Sequence, residues 1–556
     1  MSTADASKGV MIGNHPAGLY VLFGAEMWER FSFYGMRALL VLYMVEHLKY
    51  DRPSALEVYG TYMGLVYLTP LLGGYLADKY LGQRKAILTG GILMALGHFA
   101  MAFENLLYPA LGLLILGNGF FKPNISTMVG QLYPQQDTRR DSAYTIFYMG
   151  INLGAALAPL ACGYLGEDQE RFGWHYGFGL AGIGMVLGLL NFALFQQYLG
   201  LGGYEPDRPA GRSAGFSIGD WLHVSVLSVL GVGLVWLAWL PALTIQEAVP
   251  KLGGFDLGKP VVLGSWVVLA LFYVGLANLL QRIFGPRPDG SPIEAARQGD
   301  VAHVVQGGRG QPEAPGAEAD ARDAAPEEER EDSHARFTKR HWGRITVIVI
   351  VSLFGTLFWM GFEQAGGTLN LFALERTDRS VPEPLQPLAG EAFPASWYQS
   401  VNPILILLLA PLFSLLWTHL DRTRFRVNSA AKMGLGLILL GVGMAVMALA
   451  HQRSQTSPLI GPQWLVMVYL LHTMGELCLS PIGLSLVNKL APVKVASLMM
   501  AIWFVCTAAA GYLAGRLEEI VGEEHLWTFL IFSSIIPGVI LLALNPLLKK
   551  MAHGRI

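Results

Sequence analysis

The feature that most constrains this chain is a succession of long apolar runs. Fourteen stretches are long and apolar enough to cross a bilayer. They lie at approximately 17–46, 54–81, 85–104, 108–131, 141–166, 174–199, 217–242, 260–283, 343–372, 396–420, 427–451, 462–489, 494–518 and 525–548. A membrane-spanning helix needs about 20 such residues. Charge content agrees: 14% of the residues are Asp, Glu, Lys or Arg, against roughly 25% in a soluble domain. No run alternates apolar and polar residues with period two, which excludes a transmembrane β-barrel. Gly and Pro recur inside the runs, as helix packing in a bilayer tolerates. The expected class is an all-α polytopic membrane protein.

Several function classes are excluded at this level. The formal net charge of −2 offers no basic surface for nucleic acid. Cys162, Cys478 and Cys506 all lie in apolar runs, with neither a disulfide framework nor metal-ligand spacing. There is no nucleophile–base pair, no metal-spaced histidine cluster and no phosphate-binding loop, so neither enzyme chemistry nor a metal or organic cofactor is expected. Residues 1–14 are polar and the first run is too long for a signal peptide, so no cleavable leader is expected.

Positive charge in the short loops sets the orientation. With the amino terminus inside, cytoplasmic loops carry Lys79, Arg84 and Lys85; Arg139 and Arg140; Arg208 and Arg212; Arg422, Arg424 and Arg426; Lys489 and Lys494. Lys49, Arg52, Arg376 and Arg379 fall outside. Fourteen spans return the carboxyl terminus to the cytoplasm. From about 284 to 336 the chain is rich in Ala, Gly, Pro and Glu, with twelve acids and six arginines, a net charge of −6. Such a stretch cannot bury a core and reads as a disordered tether.

A weak internal repeat organises the rest. Gly73-Gly-Tyr-Leu-Ala-Asp-Lys-Tyr-Leu-Gly-Gln-Arg-Lys85 closes the second span, and Leu415-Leu-Trp-Thr-His-Leu-Asp-Arg-Thr-Arg-Phe-Arg426 closes the tenth. Each puts an Asp at a cytoplasmic helix end, followed by basic residues. The first of them resembles the cytoplasmic-loop motif of the major facilitator superfamily. The expected domains are a six-helix bundle at 15–200, two inserted spans at 215–284, the acidic cytoplasmic linker at 285–337, and a second six-helix bundle at 338–550. Two such halves around a midplane site are the layout of alternating access.

Ionisable residues at membrane depth mark the site, because each costs free energy unless it faces a wet cavity or a partner. Helical spacing aligns Glu26, Arg30, Phe33 or Tyr34, and Arg37 along one face of the first span, with Glu29 beside them. Lys122, Glu363 and Glu476 sit in three other spans. A cavity lined by both signs suits a zwitterion, with bases for a carboxylate and acids for an ammonium. Tyr34, Tyr67, Tyr148, Trp359, Trp503, Asn152 and Asn402 are candidates for hydrogen bonds and aromatic walls.

Glu26-Met-Trp-Glu-Arg-Phe-Ser-Phe-Tyr-Gly35 resembles the E-x-x-E-R-F-x-Y-Y-G motif of the proton-coupled oligopeptide transporter (POT) family. Phe147-Tyr-Met-Gly-Ile-Asn-Leu-Gly-Ala155, Lys122-Pro-Asn124, Phe358-Trp359 with Glu363-Gln364, and Gly475-Glu476 with Ser480-Pro481 are similar to other signatures of that family. The likeness runs from about 15 to 545, the linker excepted. It implies the major facilitator fold with two inserted helices, as in bacterial members, and proton-coupled import of di- and tripeptides or peptide-like drugs. It implies a monomer in the bacterial inner membrane with both termini cytoplasmic and no cofactor beyond the proton. It assigns Glu26, Glu29, Arg30 and Glu363 to proton coupling. Arg30, Tyr34, Arg37, Tyr67, Lys122, Asn152, Trp359, Asn402, Glu476 and Trp503 become substrate-binding residues. Arg37 with Glu363, and Lys122 with Glu476, become bridges between the halves. One departure is Phe33, where the motif usually has its first Tyr. The second span has no His, unlike animal members, which leaves proton duty to carboxylates. A family relative carrying nitrate, an amino acid or a peptide-like drug is the alternative.

Overall fold

The computed structural model describes residues 10–134, 137–200, 202–204, 339–386, 390–423, 427–457, 459–492 and 496–553. The two expected inserted spans, the linker and Arg208, Arg212, Arg424 and Arg426 lie outside these residues, as does Lys494.

Six long helices precede the undescribed stretch: α1 Ala17–Leu42, α2 Arg52–Leu76, α3 Gln83–Ala100, α4 Leu107–Gln131, α5 Arg139–Glu167 and α6 Trp174–Phe195. Six more long helices and one short one follow it: α7 Lys339–Phe362, the short α8 Thr368–Glu375, α9 Val401–Asp421, α10 Ser429–Ser454, α11 Gln463–Leu490, α12 Ala496–Val521 and α13 Glu523–Met551. Local sequence explains several ends. The Asp51 carboxylate accepts a hydrogen bond from the Ser54 N–H at the start of α2, with Pro53 in the first turn. Asn428 caps α10 through the Ala431 N–H at 2.9 Å. Glu523 and Glu524 open α13, and Lys549 and Lys550 close it, both matching the helix dipole.

Within the first half, α1 packs on α5 and α6, α3 on α4 and α6, and α2 on α4. Within the second, α10 packs on α11 and α13, and α7 on α12 and α13. Apolar residues also remain on the outer surface of the described bundle, as in a chain whose surrounding is a bilayer. On α9 these are Leu408, Leu412, Leu415 and Leu416; on α13 they are Phe532, Ile536, Val539 and Ile540. Asp78 lies in the π-helical turn that ends α2, and Asp421 is the last residue of α9, so the expected repeat occupies equivalent places in the two halves.

Two seams join the halves, and both close at the end of the bundle that carries Arg52, Glu167 and Glu375. On one seam α2 lies against α12. A methyl group at Gly60 would stand 2.7 Å from the Cα of Gly515, so this crossing admits backbone against backbone only. On the other seam α5 meets α9 and the 3-10 turn Ala395–Ser400 that leads into it. Glu167 at the end of α5 accepts hydrogen bonds from the N–H groups of Ala395 at 2.6 Å and Ser396 at 2.9 Å, a carboxylate cap supplied across the seam.

The ninth expected run is not one helix. It breaks into a 3-10 turn at Glu363–Gly366 before α8 resumes. Gly366 is crowded by the Tyr59 hydroxyl and the Arg37 guanidinium, so no side chain fits there. The break therefore places Glu363 directly opposite α1.

Candidate functional site

The first helix carries most of the charge. Glu26, Glu29, Arg30 and Arg37 are all buried, with Glu29 fully so. Arg30 grips Glu29 with two nitrogens: Nη2 donates to Oε1 at 2.6 Å and Nε donates to Oε2. Its Nε also lies 3.4 Å from Glu26 Oε1. The guanidinium stands over the Phe33 ring, 5.0 Å from its centroid. The expected cluster is thus assembled within one helix, in a single half. Bidentate, buried and charge-assisted, this is the strongest class of side-chain hydrogen bond. It also occupies the guanidinium face that an incoming carboxylate would need.

Two turns along α1, Arg37 reaches the other half. Its Nη2 donates to Glu363 Oε2 at 2.7 Å, and its Nε donates to the Tyr59 hydroxyl at 2.9 Å. Tyr59 in turn donates to Glu363 at 3.4 Å, and the Tyr34 ring lies 5.8 Å from the Arg37 guanidinium carbon. Arg37 and Glu363 therefore meet as expected. A second layer of ions lies beyond them. Arg52 bridges Glu375 at 3.0 Å and Glu518 at 2.7 Å, and Arg516 pairs with Glu57.

Lys122 and Glu476 are each turned to other groups. The Lys122 ammonium sits over the Tyr67 ring, 4.9 Å from its centroid. Glu476 accepts a hydrogen bond from Asn402 Nδ2 at 2.9 Å, and the same amide group donates to Thr473 Oγ1 at 2.9 Å. The bridge expected between Lys122 and Glu476 is not formed among the described residues. Each charge keeps a soft neighbour, a ring face and an amide, that a stronger ligand can displace.

The neutral candidates divide. Asn402 is at the site. Asn152 is buried on α5 and donates to the Tyr148 carbonyl, one turn back in its own helix. Trp359 packs edge-on against Phe358 and Phe362, and its Nε1 is buried without a partner. Trp503 is buried, its ring lying 3.3 Å from where a side chain at Gly355 would start and also covering Gly483. Phe33, the departure from the motif, is buried, stacks on Tyr62 and carries Arg30 on its face.

Sequence reasoning missed Tyr59, Asn118, Gln364 and Thr473. Asn118 of α4 donates to Glu29 Oε1 at 3.5 Å. Gln364 ties the helix break to α12 through the Ala514 carbonyl at 3.0 Å. A neutral polar residue in an apolar run has no charge to draw attention. The signal that was available for Asn118 is its position, one helical turn before Lys122.

Comparison with known proteins identifies the family and the fold. The family model described as PTR2, POT family, matches residues 84–200 and 334–528. The "Peptide transporter YePEPT" of Yersinia enterocolitica subsp. palearctica serotype O:3 (strain YE-P4) is 34% identical over 93% of this chain and 90% of its own length. The "Di-/tripeptide transporter" of Lactococcus lactis subsp. cremoris is 32% identical over 97% of both chains. The "Uncharacterized transporter YclF" of Bacillus subtilis (strain 168) is 32% identical over 97% of this chain and 96% of its own. Among solved structures, a peptide transporter POT in complex with sulfate superposes with a TM-score of 0.71 at 30% identity, covering 99% of this chain and 98% of that one. A POT family transporter in complex with 5-aminolevulinic acid superposes with a TM-score of 0.72 at 28% identity, covering 99% of this chain and 100% of that one. The relatives and neighbours are transporters, not enzymes.

Proposed function

The chain belongs to the POT family of major facilitator transporters, and from that premise we propose that it imports di- and tripeptides with protons across the inner membrane of a bacterium. The observation that carries the coupling is the grip of Arg30 on Glu29. While Glu29 is ionised, it holds the guanidinium against its own helix. Protonation removes the charge that Arg30 answers, and Arg30 with Lys122 then receives the peptide carboxylate. Glu476 and Asn402 receive the peptide ammonium from the other half. Proton and peptide thereby favour each other's binding, and the coupling is reciprocal. A proton entering across about 100 mV yields roughly 2.3 kcal/mol. At about 1.4 kcal/mol per decade, that concentrates a neutral dipeptide roughly fifty-fold.

The test separates coupling from binding. In proteoliposomes, Glu29→Gln keeps peptide exchange and loses accumulation driven by a pH gradient, because a permanently neutral group cannot cycle. If Glu29→Gln accumulates peptide to the wild-type level, the proton acts elsewhere and Glu363 is the next residue to examine. A second reading is favoured by the solved family transporter bound to 5-aminolevulinic acid, a compound named for an amino group and an acid. On that reading the cargo is a small zwitterion rather than a peptide. Uptake of Ala-Ala, Ala-Ala-Ala, alanine, nitrate and 5-aminolevulinate by one preparation decides between the two.

A further inference from the structure

The proposed cycle requires a partner for the proton that Glu29 takes up. Ionised Glu29 has both oxygens taken by Arg30. Once protonated, it becomes a buried carboxylic acid with an O–H to donate. A buried donor without an acceptor is strongly disfavoured, so the protonated state needs an acceptor already in place. Arg30 cannot serve, since a guanidinium only donates.

The groups facing Glu29 are few. From its own helix come Arg30 and Glu26. From α4 come Lys122 and Asn118, and from α2 comes Tyr62. Lys122 is a donor only. Glu26 has Oε1 near Arg30 and a buried Oε2 without a partner, but it makes no hydrogen bond to Glu29 among the described residues and is itself an acid that competes for the proton. Asn118 differs from all of these. It is 1% exposed, its Nδ2 donates to Glu29 Oε1 at 3.5 Å, and its Oδ1 is buried with no hydrogen-bond partner at all. An unmet carbonyl oxygen on an amide that already touches Glu29 is the feature the protonated acid requires.

We propose that Asn118 is the positioning residue of the proton site, its carboxamide serving ionised Glu29 through Nδ2 and, after a half-turn of the amide, accepting the O–H of protonated Glu29 through Oδ1. The inference rests on Glu29 as the coupling acid. The amide is not a proton donor or acceptor in the net sense: the proton stays on Glu29, and no bond to Asn118 other than a hydrogen bond forms. Its contact with the ionised acid is long, so that state loses little when Asn118 is removed. The protonated state loses the unmet amide oxygen that already stands beside it. Asn118 therefore holds the form that frees Arg30.

The experiment measures the pH at which gradient-driven uptake of Ala-Ala is half-maximal, in proteoliposomes of the full chain, with peptide exchange recorded on the same vesicles. Asn118→Leu should move the midpoint to more acidic pH by about one unit. Asn118→Asp should move it the other way, because a second carboxylate beside Glu29 strengthens the hold on a shared proton. A loosened fold gives no reason for opposite shifts. In a Glu29→Gln background, where only peptide exchange remains, adding Asn118→Leu should leave the pH profile of Ala-Ala exchange unshifted. Two variants that leave the midpoint unmoved, or move it in one direction, overturn the assignment. So does a shift that persists without the Glu29 carboxyl, since Asn118 would then act through Glu26. Failure of the Glu29 reading itself shows separately, as undiminished accumulation by Glu29→Gln alone.

Discussion

Neutralising Glu363 isolates what the Arg37 bridge contributes to closing one end of the transporter. The bridge is 2.7 Å long, and both side chains are under 8% exposed. Removing one partner of a buried ion pair costs about 3–5 kcal/mol, since the other charge is left in a dry site. Glu363→Gln is milder: its amide oxygen still accepts from Arg37 and Tyr59. Exchanging a charge-assisted bond for a neutral one leaves a loss of about 2 kcal/mol. When the halves part, both side chains are in water and the substitution changes little. The loss therefore falls on the closed state alone and shifts the balance toward opening by roughly thirty-fold. Spin labels at Glu46 and Gln455, both exposed near that end, report the opening. Cys506 is half-buried and must first be replaced. Double electron–electron resonance should show a second, longer distance in Glu363→Gln. The doubly neutral protein, Arg37→Gln with Glu363→Gln, should recover part of the closed population because no buried charge is orphaned. A distance distribution identical to wild type would refute the reasoning.

Lys122→Ala and Glu476→Ala should each weaken peptide binding roughly thirty-fold or more while leaving expression normal, since each removes one charged contact worth about 2–3 kcal/mol. Uptake of Ala-Ala at concentrations spanning the wild-type half-saturation point measures this, and unaltered uptake by both removes the assignment. On the other seam, Glu167→Gln weakens the cap on Ala395 and Ser396 and should raise the population at the longer labelled distance relative to the shorter by roughly tenfold, from a loss of about 1–2 kcal/mol. If the distance does not change, that seam holds without its carboxylate.

The parts of this molecule that the sequence disclosed share a physical cause. Long apolar runs and rare charges inside them have few alternative readings in a bilayer, so the spans and Glu26, Glu29, Arg30, Arg37, Lys122, Glu363 and Glu476 stood out. That Arg37 meets Glu363, 326 positions away, came from resemblance alone, because no periodicity connects two helices in different halves. The break at Glu363–Gly366 was hidden, since Gly366 and Gly367 resemble the small residues that transmembrane helices ordinarily carry. Tyr59 and Asn118 were hidden for a related reason. A buried tyrosine or asparagine is ordinary packing until the structure shows which charge it touches. The two glycines that Trp503 packs against, Gly355 and Gly483, were likewise not legible as its neighbours, because they lie on two other helices.

The distribution of partners between the halves bears on why proton and peptide should both be needed. Arg30 has its two acids, Glu26 and Glu29, on its own helix, so protonation there rearranges one half and touches nothing in the other. Arg37, two turns and about 10 Å further along the same helix, holds Glu363 of the other half. A proton on Glu26 or Glu29 alone thus has no lever on the closed seams. On the proposed reading, the lever at the other end is the gap between Lys122 and Glu476, where each charge is loosely held by Tyr67 or Asn402. A peptide whose carboxylate lies on Arg30 and Lys122 and whose ammonium lies on Glu476 ties the halves together at that depth. A ligand shifts a conformational balance only by binding one state better than the other. The proton makes Arg30 available within the first half, and the peptide converts that availability into an attraction across the halves. Neither step substitutes for the other, and a solute that grips only one half has no means of favouring closure.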